Sequence, residues 1–177
     1  MTSRRMDARE SRLVLLCYDG SDTARSAIEE AGAVLGGGPA LVLTVWESLG
    51  SAALRYPSPG TIEFGRDVRA ISNEVVDALD TGAAEWAQAT VAEGAEVAAR
   101  AGFEAETRAH RALGRLAERS EGAVWQAVLR VADKEDSAVV VLGSRGRSGL
   151  KAALLGSVSY GVVHNAQRPV LIVPPRE

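Results

Sequence analysis

The strongest chemical signal in this chain is a glycine spacing that runs from the end of an apolar segment into the start of a helix. Gly143, two residues, Gly146, nine residues and then Gly156-Ser157 follow the apolar run Ala138 to Leu142. Glycines let a backbone approach a ligand closely and turn its N–H groups toward an anion. A helix opening at Gly156-Ser157 would add free N–H donors and the positive end of its dipole. The hydroxyls of Ser157 and Ser159 would be further donors. Between Ser137 and Arg176 there is no Asp or Glu, while Arg145, Arg147, Lys151, Arg168 and Arg176 all fall there. The plainer reading is that the glycines only make turns and Ser157 only caps a helix. Strand exit, helix start and basic field together favour a polyphosphate site.

A second candidate is Asp19, in the turn Asp19-Gly20-Ser21 that ends the apolar run Leu13 to Tyr18. It is either a ligand-binding carboxylate or an Asx-turn residue. Cys17, inside that run, reads as a small core residue. Tyr18, Trp46, Trp86 and Trp125 read as packing residues, with Trp46 near the expected site. His110 and His164 have no neighbours at metal-ligand spacing, so no protein-built metal site is expected. Neither a G-x-x-x-x-G-K-[ST] loop, a G-x-G-x-x-G fingerprint nor a G-x-S-x-G elbow occurs. With no convergent general base or carboxylate pair, the expectation is a binding protein and not an enzyme.

The elements that must hold these residues alternate. Leu13 to Tyr18 and Leu41 to Trp46 read as buried strands, with a helix between them capped by Ser21 or Asp22 and ended at Gly36-Gly37-Gly38. Residues 48–60 read as a loop, 66–79 as a short helix and 82–100 as an alanine-rich helix with Gly102 as its C-cap. Phe103 to Ala109 alternates like a half-exposed strand near a sheet edge. Residues 122–134 read as a helix burying Val124, Val128, Leu129 and Val131. A fourth strand at Ala138 to Leu142, a helix from Ser157 to Gln167 and a fifth strand at Val170 to Val173 complete the pattern. Strands alternating with helices imply an α/β fold: a three-layer α/β/α sandwich around a five-stranded parallel sheet.

Composition sets the class. The chain has 177 residues, 46% of them hydrophobic, a formal net charge of −3 and one cysteine. That suits a single domain over 12–175 behind a flexible tail of residues 1–11. The negative balance argues against nucleic acid as the main partner. The tail carries Arg4, Arg5 and Arg9 with no apolar stretch behind them, and no run approaches the ~20 apolar residues of a membrane span. A soluble protein of the cytoplasm, with no membrane partner, is expected.

The G-x2-G-x9-G-[ST] spacing, the Asp19-Gly20-Ser21 turn and the terminal Arg168-Pro169-Val170-Leu171-Ile172-Val173 together resemble the universal stress protein family, in its ATP-binding branch. The resemblance spans most of residues 11–175 and is weakest over 47–80 and 112–122. It implies strand order 3-2-1-4-5, the adenine nucleotide alpha hydrolase-like arrangement, with Asp19 and Gly143 facing each other where the strand order reverses. It implies that Asp19 and Val45 line the adenine and ribose end. Gly143, Gly146 and the turn of Gly156, Ser157, Val158 and Ser159 would hold ribose and triphosphate, with Arg145 and Arg147 as candidate phosphate contacts. The implied ligand is ATP, with Mg2+ held by phosphate oxygens and water. The implied assembly is a homodimer through Val170–Val173, an edge strand on which Pro169 is tolerated. The function implied is a nucleotide-binding stress-response module. A slow ATPase or phosphotransferase on the same site, or a dimerising module without nucleotide, are the alternatives. Two departures stand out: Cys17 and Tyr18, where the family more often has small residues or proline, and an extra segment at 113–121.

Overall fold

Leu13 to Tyr18 is apolar on both sides of the chain, and β1 (Val14–Cys17) accordingly takes the centre of the sheet. A computed structural model describes residues 13–47, 73–112, 123–146 and 155–175. β1 pairs in parallel with β2 (Gly38–Glu47) on one side and β4 (Val139–Gly143) on the other, so Leu16 lies level with both Val42 and Val141. β3 (Phe103–Ala112) joins the outer edge of β2, and β5 (Val170–Val173) the outer edge of β4. The sheet is therefore all parallel, in the order β3-β2-β1-β4-β5. The half-polar pattern of β3 fits its edge position.

Side-chain alternation along β1 feeds two cores. Leu16 and Tyr18 pack with Ala27 and Ile28 of α1 (Asp22–Leu35) and Val91 and Val97 of α2 (Asn73–Arg100). Leu15 points the other way, toward Val128 and Val131 of α3 (Ala123–Lys134) and Val162 of α4 (Ser157–Asn165). Each fully buried Leu or Val contributes about 1.5–3 kcal/mol. Helices on both faces make the three layers.

α1 starts as its sequence requires: Ser21 is the N-cap, its Oγ accepting from the Ala24 N–H at 3.2 Å, and Asp22 stands in the first turn. It ends at Gly36 in the left-handed region, φ 80°. The expectation of separate helices over 66–79 and 82–100 is corrected. α2 runs unbroken from Asn73 to Arg100, 28 residues. Gly82 does not break it, since one glycine costs a helix only about 1 kcal/mol and alanines surround it. The expected loop at 48–60, the first part of the expected helix at 66–79, and the segment 113–121 lie outside the described residues. The last helix stops at Asn165, two residues short of the expected Gln167.

Candidate functional site

β1, β2 and β4 all end at the same edge of the sheet, and a cleft of about 560 Å³ opens there. The order reverses between β1 and β4, so the helices following these two strands leave on opposite faces and the crevice stays uncovered. Asp19, Val45, Gly143, Arg145, Gly146, Gly156, Ser157, Val158 and Ser159 all line it. Nine of the ten candidates are thus brought together from three regions of the chain. The tenth, Arg147, lies outside the described residues.

The phosphate end is built from backbone. Ser144, just after β4, takes its position from three bonds: its N–H donates to the Val173 carbonyl at 2.7 Å, and its own carbonyl accepts from the Gly156 N–H at 2.7 Å and from Ser159 Oγ at 2.7 Å. The exit of β4, the end of β5 and the start of α4 are thereby tied at one residue. Ser144 carried no sequence signal beyond lying between the glycines. The N-cap of α4 is Gly156, which has no side chain to cap with. The first-turn N–H groups of α4 therefore open on the cleft without an intrahelical partner.

Two sequence expectations change here. The Ser159 hydroxyl was expected to face a phosphate; it is buried, with its single proton directed at the Ser144 carbonyl, and Gly156 O lies 3.0 Å away. Ser159 thus offers the cleft its backbone N–H, while its side chain holds the turn in shape. Arg168 belongs to the basic segment of the sequence, yet it sits at the opposite end of the sheet, before β5. Its guanidinium donates to the Ala132 carbonyl at 2.9 Å, to the Ser137 carbonyl and to Asp133 at 2.5 Å. Arg168 is a structural clamp.

The glycines divide into separate roles. A Cβ on Gly146 would lie 2.8 Å from Asp19 Oδ2, so it is Gly146 that faces Asp19 across the reversal point. A Cβ on Gly143 would instead meet Thr23 of α1, at 2.8 Å from Cγ2 and 3.0 Å from the backbone carbon. Gly143 lets α1 pack down on β4. Gly156, with φ −71° and no neighbour nearer than 3.6 Å to an added Cβ, is demanded by neither strain nor internal crowding.

The two carboxylate oxygens of Asp19 are placed differently. Oδ1 accepts from the Ser21 N–H at 3.0 Å and from Ser21 Oγ at 2.6 Å, an Asx turn that sets up the cap of α1. Oδ2 is turned toward Gly146 and the cleft. Cys17 also lines the cleft, and burial, then the charge of Asp19, push its thiol up to about 12. It is an inert sulfur at neutral pH. Tyr18 is a core residue whose hydroxyl donates to Glu93 at 2.8 Å. Arg25 also bonds Glu93, and its guanidinium lies 3.3 Å from the Tyr18 hydroxyl. Gly94 gives the ring its room, since a Cβ there would sit 2.7 Å from Tyr18 Cδ1.

The other end of the cleft is made of side chains. Trp46 and Glu47 end β2, Ala83 and Trp86 come from α2, and Val124 and Val128 from α3. Arg111 lies over the Trp46 ring, 5.4 Å from its centroid, and pairs with Asp80 of α2 at 2.8 Å. The sequence places Trp46 near the site, whereas Ala83, Trp86, Val124 and Val128 join the lining only in the fold. A tryptophan on an otherwise alanine-rich helix is the one signal the sequence offers. Among the described residues, no group of three or more His, Cys, Asp or Glu is placed to hold a metal ion. Nor is any described helix long and apolar enough to cross a membrane.

With this geometry in place, comparison with known sequences is decisive. The sequence pattern of the universal stress protein family matches residues 10–174. The chain belongs to the universal stress protein family. Among curated relatives, Universal stress protein MJ0531 of Methanocaldococcus jannaschii is 40% identical over 53 residues, 30% of this chain and 31% of that protein. The aligned stretches cover between 20% and 54% of the curated relatives. Solved structures align over far more. That of MJ0577, from the same organism, has a TM-score of 0.57 at 20% identity, covering 94% of this chain and 97% of that one. A universal stress protein in complex with cAMP gives 0.54 at 23% identity, covering 92% and 96%. These neighbours carry the same fold, the universal stress protein sheet with helices on both faces.

Proposed function

We propose that this universal stress protein binds ATP, with magnesium, as a regulatory module and turns it over slowly if at all. The observation that carries this reading is the phosphate end itself. Backbone donors at an uncapped helix start, a glycine opposite Asp19 Oδ2 and Arg145 at the strand exit converge on one cleft. The residues present fit the group. The α4 start and the Gly146 turn would hold phosphates, Arg145 would add charge, and Asp19 with Val45 would face ribose and base. A neighbour crystallised with cAMP supports an adenine ligand. Among the described residues, Asp19 and Glu47 are the carboxylates that line the cleft, and no group of three or more His, Cys, Asp or Glu is placed to hold a metal ion, so the ion would ride on phosphate oxygens and water. Turnover should fall well below the ~1–100 s⁻¹ of kinases.

Two measurements test it. Denaturing the purified protein and identifying released nucleotide by mass spectrometry should yield an adenine nucleotide. Steady-state phosphate release from magnesium-ATP should stay at background in both the wild type and Gly156→Val. A rate in the kinase range that vanishes in Gly156→Val would make the protein an enzyme. Gly156, and not Gly143, is the sound control, because Gly143 is committed to packing against Thr23.

The reading extends to assembly. β5 is an edge strand, and on the neighbouring α4 Tyr160 and Val163 are exposed at 57% and 46%. An apolar edge beside exposed apolar side chains invites pairing with a second copy. A homodimer through Val170–Val173 is expected in light scattering, and a monomer at tens of micromolar would count against it.

A further inference from the structure

The cleft crosses the ends of β2, β1 and β4, which spreads its two ends over two strand spacings, about 10 Å. Backbone donors occupy the β4 side, so a nucleotide whose phosphates sit there directs its base toward the β2 side. Two tryptophans stand at that end. Trp46 already has the Arg111 guanidinium over its ring, 5.4 Å from the centroid. Trp86, on α2, lines the cleft and keeps 37% of its surface exposed. Ala83, one turn earlier on α2, lines the same cleft and has only a methyl side chain beside the indole's stretch of helix. The wall is also held in place: Asp80, one turn before Ala83, pairs with Arg111 on β3 at 2.8 Å.

We propose that Trp86 is a specificity-determining residue of this site, the aromatic wall on which the base of the bound nucleotide stacks. The proposal rests on the reading of the cleft as a nucleotide site. An aromatic face recognises a planar base through dispersion and desolvation, and one such stack is worth about five- to a hundred-fold in affinity. Side chains of α3 (Val124 and Val128) line the same cleft, so the base end is apolar on the far side as well. That end selects a large aromatic base while the opposite end selects phosphate.

The test is ATP titration by calorimetry of wild type, Trp86→Ala and Trp86→Phe, with thermal unfolding on each. Trp86→Ala should bind at least about tenfold more weakly, and Trp86→Phe, which keeps a ring, should stay within about threefold. Trp86→Ala binding within twofold of wild type would overturn the proposal while leaving the nucleotide reading intact. A wild type that binds no adenine nucleotide would overturn both. Should Trp86→Ala fail to fold, tryptophan fluorescence decides. In a Trp46→Phe background, which removes the other tryptophan of the cleft, ATP should change the emission, and adding Trp86→Phe should abolish that change; a full change that survives Trp86→Phe would refute the stacking wall.

Discussion

The two ends of the cleft are built from different materials. At the β4 end main-chain N–H donors and glycines of the segment after β4 and the start of α4 line the cleft, joined by the side chains of Arg145 and Asp19. At the β2 end the lining is side chains from β2, α2 and α3, drawn from positions 45–47, 83–86 and 124–128. A backbone site needs its residues at fixed separations along the chain, because the turn itself is the binding surface. A side-chain wall needs only that helices dock in the right place. The first therefore breaks when side chains are added, and the second when they are removed.

The sharpest way to break the β4 end is Gly143→Val. Its Cβ would run into the Thr23 backbone, which cannot rotate away as a side-chain tip would. Denaturant unfolding should show a loss of about 1–3 kcal/mol or more, the usual cost of overpacking. Stability equal to wild type would mean that α1 does not lie on β4 as described. Gly156→Val separates binding from folding. Its neighbours are no nearer than 3.6 Å and its φ suits any residue. Stability should change by less than about 1 kcal/mol while ATP affinity falls at least tenfold. Unchanged affinity would remove the α4 start from the site.

The same contrast explains what could be read from sequence. Apolar runs and turn residues, all local signals, give the five strands, the alternating helices and the parallel sheet, whereas the strand order and the gathering of Asp19, Gly143, Gly146 and Gly156 are legible only through the family resemblance that the glycine spacing carries. The division of this region into helices over 66–79 and 82–100 fails because α2 continues through 80–82, where the alanines that follow carry the helix on. Arg168 shows the limit of charge counting, because its sequence neighbours suggested a field at the cleft while its hydrogen bonds hold it at the other end of the sheet. The Ser159 hydroxyl shows the same limit on a smaller scale. Only the fold reveals that the Ser144 carbonyl lies 2.7 Å from it.

Between the two ends stands Tyr18, under the cleft and bonded to Glu93 on α2. Burial first, then the Glu93 hydrogen bond, push its hydroxyl up to about 12, so it stays protonated and donating at any physiological pH. Tyr18→Phe keeps the ring against Gly94 and removes only the donor. The expected loss is about 1 kcal/mol in denaturant unfolding, because Glu93 retains Arg25. A loss above about 3 kcal/mol would show that the hydroxyl, and not the ring, fixes α2 against β1.

The smallest effect expected is a pH dependence at the β2 end. His110 pairs with Val45 across β3 and β2, and so flanks the base end of the cleft. Burial, followed by the charges of Arg130, Arg108 and Lys134, holds its pKa below the ordinary 6.5. Arg108 is itself paired with Glu135 at 2.6 Å, which leaves the two α3 cations less compensated. A proton then binds the unfolded chain more tightly than the folded one. As pH falls through 6.5 the unfolded chain takes up that proton first, so stability declines, and the decline stops once pH is below the folded-state pKa. His110→Gln should flatten that segment of the stability–pH curve and leave the curve above pH 7.5 nearly parallel to wild type. Unfolding midpoints measured from about pH 5 to 8 give the comparison. An unaltered slope in the variant would mean that another group carries the titration, and that the β2 end holds no suppressed charge beside Val45.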